Sequence, residues 1–167
     1  MSTERVARRA ARLLVLDPGG AVFLQLHDDV EVGLHWVLPG GGLEEGEDEL
    51  AGAVRETVEE TGWDDVRTGP PLWRWEHDYT RAGVPTRQRE VIFLAEGPRR
   101  DPVGDLADSF AQDGIMTCRW WTPEELAGCP ELLWPPQLVA LLAELRRNGP
   151  PEQPVDLGYV PNPPPAR

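Results

Sequence analysis

Residues 41–63 read GGLEEGEDELAGAVRETVEETGW, and this stretch decides the fold. Its apolar or small residues recur at the three- and four-residue intervals that place side chains on one face of an α-helix. These residues are Leu50, Ala53, Val54, Thr57, Val58 and Thr61. Gly62 follows the pattern and supplies a C-terminal stop. The spacing therefore predicts a helix from Asp48 to Thr61.

Three glutamates occupy another face of this predicted helix. At about 100° per residue, Glu56, Glu59 and Glu60 fall within one sector roughly 100° wide, away from the apolar sector. Like charges at such spacing destabilise a helix by about 0.2–0.5 kcal/mol per pair, unless a cation lies between them. An acidic helix face is more often simply solvated, so the glutamates alone do not establish a metal site.

The residues around the glutamates favour the metal site. All the charged and glycine positions of the Nudix box are filled, by Gly41, Glu47, Arg55, Glu56, Glu59, Glu60 and Gly62. The chain resembles the Nudix hydrolase (MutT-like) family here, and also where residues 36–38 enter a glycine run and where residues 120–126 follow a later strand. Thr57 and Trp63 stand at positions that are usually filled differently, but both can pack. The resemblance implies an α/β fold, a Nudix-type α/β/α sandwich with a mixed β-sheet, over residues 1–147.

By the same resemblance the chain is a pyrophosphohydrolase that uses Mg²⁺, with Mn²⁺ as an alternative. A diphosphate repels an attacking water through its own negative charge, and a divalent cation neutralises that charge and activates the water. Magnesium prefers hard oxygen ligands. The implied ligands are the carboxylates of Glu56, Glu59 and Glu60 and a backbone carbonyl of Gly40 or Gly41.

Two further box residues are expected to support the reaction together with Glu59. The resemblance implies that Arg55 pairs with the box glutamates and holds their orientation. Glu47, near the start of the helix, can complement the helix dipole and reach back to Arg55.

Members of the family often use one more acidic residue outside the box, as a metal ligand or as a base. Glu90, at the start of an apolar strand, is one candidate, and Asp105, Asp108 and Asp113 in the following polar segment are others. A solvated surface acid is the ordinary alternative for each of the four.

Three aromatic residues are candidates for contact with the substrate base. Trp73, Trp75 and Tyr79 could each stack on a base. Alternation along a strand favours core packing for Trp73 and Trp75. Tyr79 resembles, by its spacing from Gly62, the tyrosine of dinucleoside-polyphosphate hydrolases. The sequence does not identify which nucleotide is the substrate.

Outside the box, the apolar pattern predicts a β-hairpin, a strand into the glycine loop, four later strands and two helices. The hairpin covers residues 9–27 and the next strand residues 35–38. The later strands are residues 66–68, 72–78, 89–95 and 116–122, with a loop at residues 81–86 and a long polar segment at residues 96–114. The helices begin at Thr122 and Pro136.

Composition limits the possible partners and location. A formal net charge of −13 argues against a protein that coats nucleic acid and favours a cation as the mediator of any phosphate chemistry. The expected partner is a small nucleotide-like molecule rather than nucleic acid or a membrane, because the longest apolar run near the N-terminus is too short for a signal or a span. Cys118 and Cys129 show no zinc-site or disulfide pattern, which fits a reducing cytoplasm.

Two other functions remain to be weighed against hydrolysis. A nucleotide-binding Nudix-like regulator would need an output module, and none fits within this length. An isopentenyl diphosphate isomerase-like enzyme would need a cysteine before the box, whereas Cys118 and Cys129 both come late in the chain.

The C-terminal segment, residues 148–167, is rich in proline and is expected to be extended without a core of its own. Its apolar residues predict that it docks, either on its own sheet or across a partner subunit. Members of the family are often homodimers, and the sequence leaves both arrangements open.

Overall fold

The computed structural model describes residues 4–104 and 106–160. Its strands are β1 (Val6–Leu16), β2 (Val22–Asp29), β3 (Gly33–Val37), β4 (Gly40–Gly42), β5 (Arg67–Arg81), β6 (Val84–Glu96), β7 (Ile115–Trp121), β8 (Leu132–Trp134) and β9 (Val155–Val160). Its helices are α1 (Glu49–Thr61), α2 (Ala107–Asp113), α3 (Pro123–Ala127) and α4 (Leu138–Asn148). The predicted N-terminal hairpin and the predicted box helix are both confirmed, as β1–β2 and as α1.

The strands form one mixed sheet in the order β8-β3-β2-β1-β6-β5-β9. The central pair β1 and β6 is parallel over the whole length of β1, whereas β1 with β2 and β5 with β6 are antiparallel. The short strand β4 pairs antiparallel with β1 and sets Arg12 opposite Gly40. This pairing places the glycine loop, residues 40–42, beside the central strand, and residues 43–48 connect it to α1.

Two apolar clusters cover the two faces of the sheet. One is formed with α1 and includes Phe23, Ala53, Trp63, Val91 and Trp120. The other is formed with α3 and α4 and includes Leu14, Trp36, Ile92, Trp134, Leu126, Leu138 and Leu142. Helices therefore pack on both faces, and the expected α/β/α sandwich with a mixed sheet is confirmed.

The strands β5 and β6 are longer than the sequence predicts. The two separate strands expected at residues 66–68 and 72–78 are one strand, β5, with register shifts around Pro71. The loop expected at residues 81–86 is a tight hairpin turn, because Ala82 and Gly83 adopt positive φ angles of 49° and 80°. Thr86, counted in that loop, lies in β6 and is buried.

Four elements are absent from the sequence-based prediction: the strands β4, β8 and β9 and the helix α2. Helix α2 lies in the segment predicted to be a long polar loop, and no side chain caps its first turn, so no start signal marks it. Strand β8 has only three residues, which is too short to show a period, and it pairs in parallel with β3.

The C-terminal segment docks on its own sheet. Strand β9 pairs in parallel with β5, and Leu157 and Val160 pack against the larger apolar cluster. The segment has no core of its own and packs against that of the domain, so the predicted docking is confirmed, in the arrangement on its own sheet. Residues 161–167 lie outside the described residues. None of the helices within the described ranges has the length and apolar character needed to cross a bilayer.

Candidate active site

Helix α1 is fixed at both ends by residues of the box. Asp48 is the N-cap, and its side chain accepts a hydrogen bond from the N–H of Ala51 at 3.1 Å. Gly62 ends the helix at φ 74°, and a Cβ there would meet the backbone of Val103. The position of every carboxylate on α1 is therefore set by local signals that the sequence carries.

The two unusual positions of the box both pack, as expected. Thr57 is 1% exposed, and its hydroxyl donates to the carbonyl of Ala53 at 2.8 Å. Trp63 is buried and stacks on Trp120, with ring centroids 5.7 Å apart. Neither departure disturbs the face of α1 that carries the glutamates.

Three carboxylates converge beside the glycine loop. Oxygen atoms of Glu56, Glu60 and Asp113 all lie within 4.8 Å of one another. Asp113 ends α2, so the helix missed in the sequence supplies the third member of this acidic cluster. Among the described acids considered outside the box, Asp113 joins the cluster although its residue is exposed, and Asp108 does not; Asp105 lies outside the described residues.

All three carboxyl groups of the acidic cluster have raised pKa values. Burial raises the pKa of Glu60 to about 8, although Gly40 donates a hydrogen bond to it and Arg12 lies nearby. Burial and the neighbouring acids also raise the pKa of Glu56 and of Asp113. Clustered carboxylates that are costly to ionise together match the donor set of a hard divalent cation, whose charge would favour the ionised forms.

The glycines bring the loop backbone against the cluster. A Cβ at Gly41 would lie 2.8 Å from Cδ of Glu56. A Cβ at Gly40, where φ is 143°, would collide with the carbonyl of Ala11. Gly40 also donates its N–H to Oε1 of Glu60 at 2.8 Å. The expected carbonyl ligand from Gly40 or Gly41 stays a prediction.

Arg55 connects the remaining box residues. Its Nε and Nη2 donate to the Glu47 carboxylate at 2.8 and 2.9 Å. Its Nη1 donates to Oε1 of Glu56 at 3.0 Å and reaches Oε1 of Glu59 at 3.4 Å. These hydrogen bonds are the contacts the resemblance led us to expect, and they lower the pKa of Glu47 to about 2.

Glu59 differs from the two other box glutamates in its surroundings. Its side chain is 51% exposed, whereas that of Glu56 is 14% exposed. Its carboxylate is not part of the acidic cluster found among the described residues. Glu60 is the most buried of the three at 2% exposure, and its Oε1 accepts a hydrogen bond from the glycine loop.

Glu90 lies apart from the acidic cluster in a buried set of polar contacts. Its Oε1 is 2.6 Å from Nε of Arg12, and its Oε2 accepts from His77 and Gln88. Burial alone would raise the pKa of Glu90, but Arg12 and these two donors lower it to about 2. A carboxylate with so low a pKa is a weak general base near neutral pH.

The structure separates the three candidate aromatic residues. Trp73 and Trp75 are each 3% exposed and belong to the core. This is the core packing that their alternation along the strand favoured. Tyr79 is half-buried, and its hydroxyl donates to Oε1 of Gln88 at 2.9 Å. It also accepts a hydrogen bond from Arg8 at 2.8 Å.

Arg8 and Arg12 lie against the glycine loop, and the sequence pattern did not indicate either of them. Both lie on β1, two positions to either side of Ala10, so they project from the same face of the sheet. Arg8 packs against Gly42, where a Cβ would lie 2.7 Å from its Cζ. The sequence signal that could have identified them is that both arginines lie on one face of a strand whose last residues are apolar.

Comparison with known proteins identifies the family. The model of the NUDIX domain matches residues 6–145. The chain belongs to this family. The predicted family is therefore confirmed, and the acidic cluster lies within the Nudix domain.

Relatives of this Nudix chain include an RNA pyrophosphohydrolase of Bartonella quintana, 39% identical over 61 residues, or 33% of this chain and 35% of that protein. The chain spans only 34–44% of the length of the curated relatives it matches. The MutT protein of Methanosarcina mazei has a similar structure, with a TM-score of 0.63 and 17% identity over 87% of this chain and 97% of that one. The Nudix hydrolase RenU of M. smegmatis is also similar, with a TM-score of 0.59 and 22% identity over 88% of this chain and 91% of that one. These structural likenesses show the fold.

Proposed function

We propose that this Nudix protein hydrolyses a diphosphate linkage in a nucleotide-like substrate, a nucleoside diphosphate joined to another moiety. The observation that carries the proposal is the convergence of Glu56, Glu60 and Asp113 at the end of the glycine loop. Three carboxylates with raised pKa values are poorly compatible with one another in the absence of a cation.

The cofactor we propose is Mg²⁺, with Mn²⁺ as a substitute, held by Glu56, Glu60 and Asp113. When bound, such a cation would neutralise the charge of the diphosphate and make a coordinated water a better nucleophile. The residues fit this role because all three offer hard oxygen donors and two of them come from one rigid helix. A backbone carbonyl of the glycine loop is part of the same proposal.

Arg55, Glu47 and Glu59 have different roles in this scheme. Arg55 holds Glu56 in place while its two other nitrogens are fixed by the Glu47 carboxylate. Glu59 is the exposed carboxylate next to the cluster, and we assign to it the acceptance of a proton from the attacking water. Glu90 is not assigned to proton transfer, because both its oxygens are occupied.

Arg8 and Tyr79 are proposed to bind the phosphate side of the substrate. Within the described residues no ion pair is found for Arg8, although it is half-buried in a protein of net charge −13. Its Nη1 is held by Tyr79 and Gln88, so the planar guanidinium is oriented in advance. An oriented guanidinium of this kind suits the bidentate recognition of a phosphate.

The 5′ end of an RNA is a second candidate substrate, because relatives with that named activity match part of the chain. A 5′-triphosphate end presents the same anhydride linkage as a nucleotide. The strongly acidic composition opposes contact with a long polyanion, so the expectation that nucleic acid is not a partner stays a prediction.

A panel of substrates tests the proposal. Nucleoside triphosphates, nucleotide sugars, ADP-ribose, dinucleoside polyphosphates and a 5′-triphosphate oligoribonucleotide would each be incubated with the protein and millimolar Mg²⁺ or Mn²⁺. Metal-dependent cleavage of at least one of them is the expected result. If none is cleaved while a nucleotide still raises the melting temperature, the regulator alternative replaces the hydrolase.

A further inference from the structure

A buried chain of directed hydrogen bonds crosses the sheet from β8 to the glycine loop. It begins at the indole N–H of Trp134, which can only donate, and which lies 3.0 Å from Nδ1 of His77. His77 must therefore carry its proton on Nε2, from which it donates to Oε2 of Glu90 at 2.6 Å. The indole of Trp134 thus fixes the tautomer of His77, and the Nε2–H of His77 points at the Glu90 carboxylate.

Glu90 in turn fixes the orientation of Arg12. Oε1 of Glu90 is 2.6 Å from Nε of Arg12, and Oε2 also accepts from Gln88 at 2.9 Å. The contact at Nε fixes the plane of the guanidinium, and its Nη1 donates to the carbonyl of Leu38 at 2.7 Å. Leu38 is fully buried and lies two positions before Gly40, the first residue of the glycine loop.

The last link runs through the backbone of the loop. A Cβ at Gly40 would lie 2.6 Å from Cα of Arg12, so the loop lies directly on this part of β1. The N–H of Gly40 then donates to Oε1 of Glu60. Arg12 thus holds the loop from one side, and the loop holds the Glu60 carboxylate from the other.

We propose that Arg12 is a positioning residue for the acidic cluster: held by Glu90 and His77, it fixes residues 38–40 so that Glu60 is oriented to bind the cation. This inference rests on the proposed function for the binding of a divalent cation at that cluster. It assigns Glu90 an indirect role, not that of a metal ligand or a base.

The buried ion pair of Arg12 and Glu90 is better explained by this positioning role than by a contribution to stability alone. A buried ion pair is often no more stabilising than apolar side chains of similar volume, so its presence in a core is poorly explained by stability alone. Groups that orient a metal ligand change metal affinity by about 10- to 100-fold when they are removed.

The test measures Mn²⁺ binding by isothermal titration calorimetry, without any substrate. The double variant Arg12→Met/Glu90→Met removes both buried charges together, so neither is left unpaired. We expect it to fold with a lowered metal-free melting temperature, because His77, Gln88 and the Leu38 carbonyl lose buried partners. Its Kd for Mn²⁺, measured well below that temperature, should rise by about 10- to 100-fold. The matched control is Arg67→Met/Glu96→Met, an exposed ion pair at the other end of β5 and β6, which should leave the Kd unchanged.

The single variant Arg12→Lys distinguishes this proposal from direct binding of the metal by Glu90, because Glu90 itself is unchanged in it. It also provides the test if the double variant fails to fold. Lysine keeps a positive charge beside Glu90 but lacks the planar fork that reaches Leu38 at the same time. We expect Mn²⁺ binding to weaken in Arg12→Lys as well. An unchanged Kd in Arg12→Lys would overturn the positioning role, and so would an unchanged Kd in a folded double variant. A wild-type protein that binds no Mn²⁺ would overturn the metal site of the proposed function together with this inference.

Discussion

The backbone N–H of Gly40 donates a hydrogen bond of 2.8 Å to Oε1 of Glu60, whose residue is 2% exposed. A carboxylate so buried would ordinarily lose its proton only at raised pH, and burial does raise the pKa of Glu60 to about 8. The contact therefore holds in place a group whose ionised form requires a further positive charge. A cation at the acidic cluster would supply that charge.

Removal of either cluster glutamate should abolish most of the turnover. We expect Glu56→Gln and Glu60→Gln each to lower kcat by about 100-fold or more, because an amide cannot supply the negative charge that binds the cation. Steady-state kinetics on the best substrate of the panel measures the effect. Glu124→Gln, an exposed acid on α3, is the control and should retain full turnover. Near-normal kcat in either cluster variant would contradict the assignment.

The raised pKa of Glu60 predicts how the stability of the metal-free protein depends on pH. The pKa of Glu60 is about 8 in the folded state, above the ordinary value of 4.5 that applies to the unfolded state. The protonated carboxyl therefore adds to the free energy of unfolding fully below pH 4.5, and this contribution is lost as the pH rises towards 8. Glu90, with a folded-state pKa of about 2, adds a slope of the opposite sign near pH 4.5, where its carboxyl is partly protonated in the unfolded state, and adds almost none above about pH 6. His27 and His35, whose pKa values burial lowers, give slopes of the opposite sign, so the prediction concerns the difference between two proteins. In urea unfolding with EDTA, the free energy of unfolding of the wild type minus that of Glu60→Gln should fall across this window. Equal slopes in the two proteins would contradict the prediction.

Binding of the metal should stabilise the fold. A ligand that binds only the native state adds RT ln(1 + [L]/Kd), about 2.7 kcal/mol when the ligand is at 100 times its Kd. We expect the melting temperature to rise with millimolar Mg²⁺ or Mn²⁺ and to return to its starting value when EDTA is added. Glu60→Gln should show a smaller rise. A rise of the same size in that variant would place the stabilising metal elsewhere on the protein.

The two loop glycines should respond differently to substitution by alanine. At Gly40 the new Cβ would collide with backbone in a conformation that alanine rarely adopts, so Gly40→Ala should cost about 1–3 kcal/mol of unfolding free energy. At Gly41 the Cβ would meet only the movable end of Glu56, so Gly41→Ala should fold nearly normally but bind metal more weakly. Urea unfolding and Mn²⁺ titration of both variants measure the two effects. The reverse pattern, with Gly41→Ala the less stable and the better metal binder, would contradict this account.

The sequence predicts the part of the site that local signals specify. Residues 41–63 contain their own cap, helical face and stop, so α1 and its glutamates could be located without any tertiary information. Asp113 could not be singled out from its neighbouring acids, because α2 has no side-chain cap and its position depends on packing against the rest of the fold.

The partnership of Arg12 and Glu90 was also out of reach of the sequence. These residues come together because β1 and β6 run parallel with Ala10 opposite Glu90. The register of two strands so distant in sequence follows from the packing of the whole sheet and not from any pattern in either strand. For this reason Glu90 could be recognised as an unusual acid but not given its partner.

Strand β9 predicts that the C-terminal segment stabilises the subunit to which it belongs. Leu157 and Val160 pack against the core and are partly buried, and a fully buried side chain of this kind contributes about 1.5–3 kcal/mol. Deleting residues 152–167 should therefore lower the free energy of unfolding by about 2 kcal/mol in total. Because β9 docks on its own sheet, we expect the solution mass from light scattering and the turnover to be unchanged.

Tyr159→Phe provides the matched substitution within that segment. The Tyr159 hydroxyl bonds to Asp78 and Arg87, but the residue is 44% exposed, so its loss should cost less than about 1 kcal/mol. If light scattering gave the truncated protein about half the solution mass of the full-length protein, the segment would instead join two subunits. A truncated protein that keeps the full melting temperature would show that the docking of β9 contributes nothing to stability.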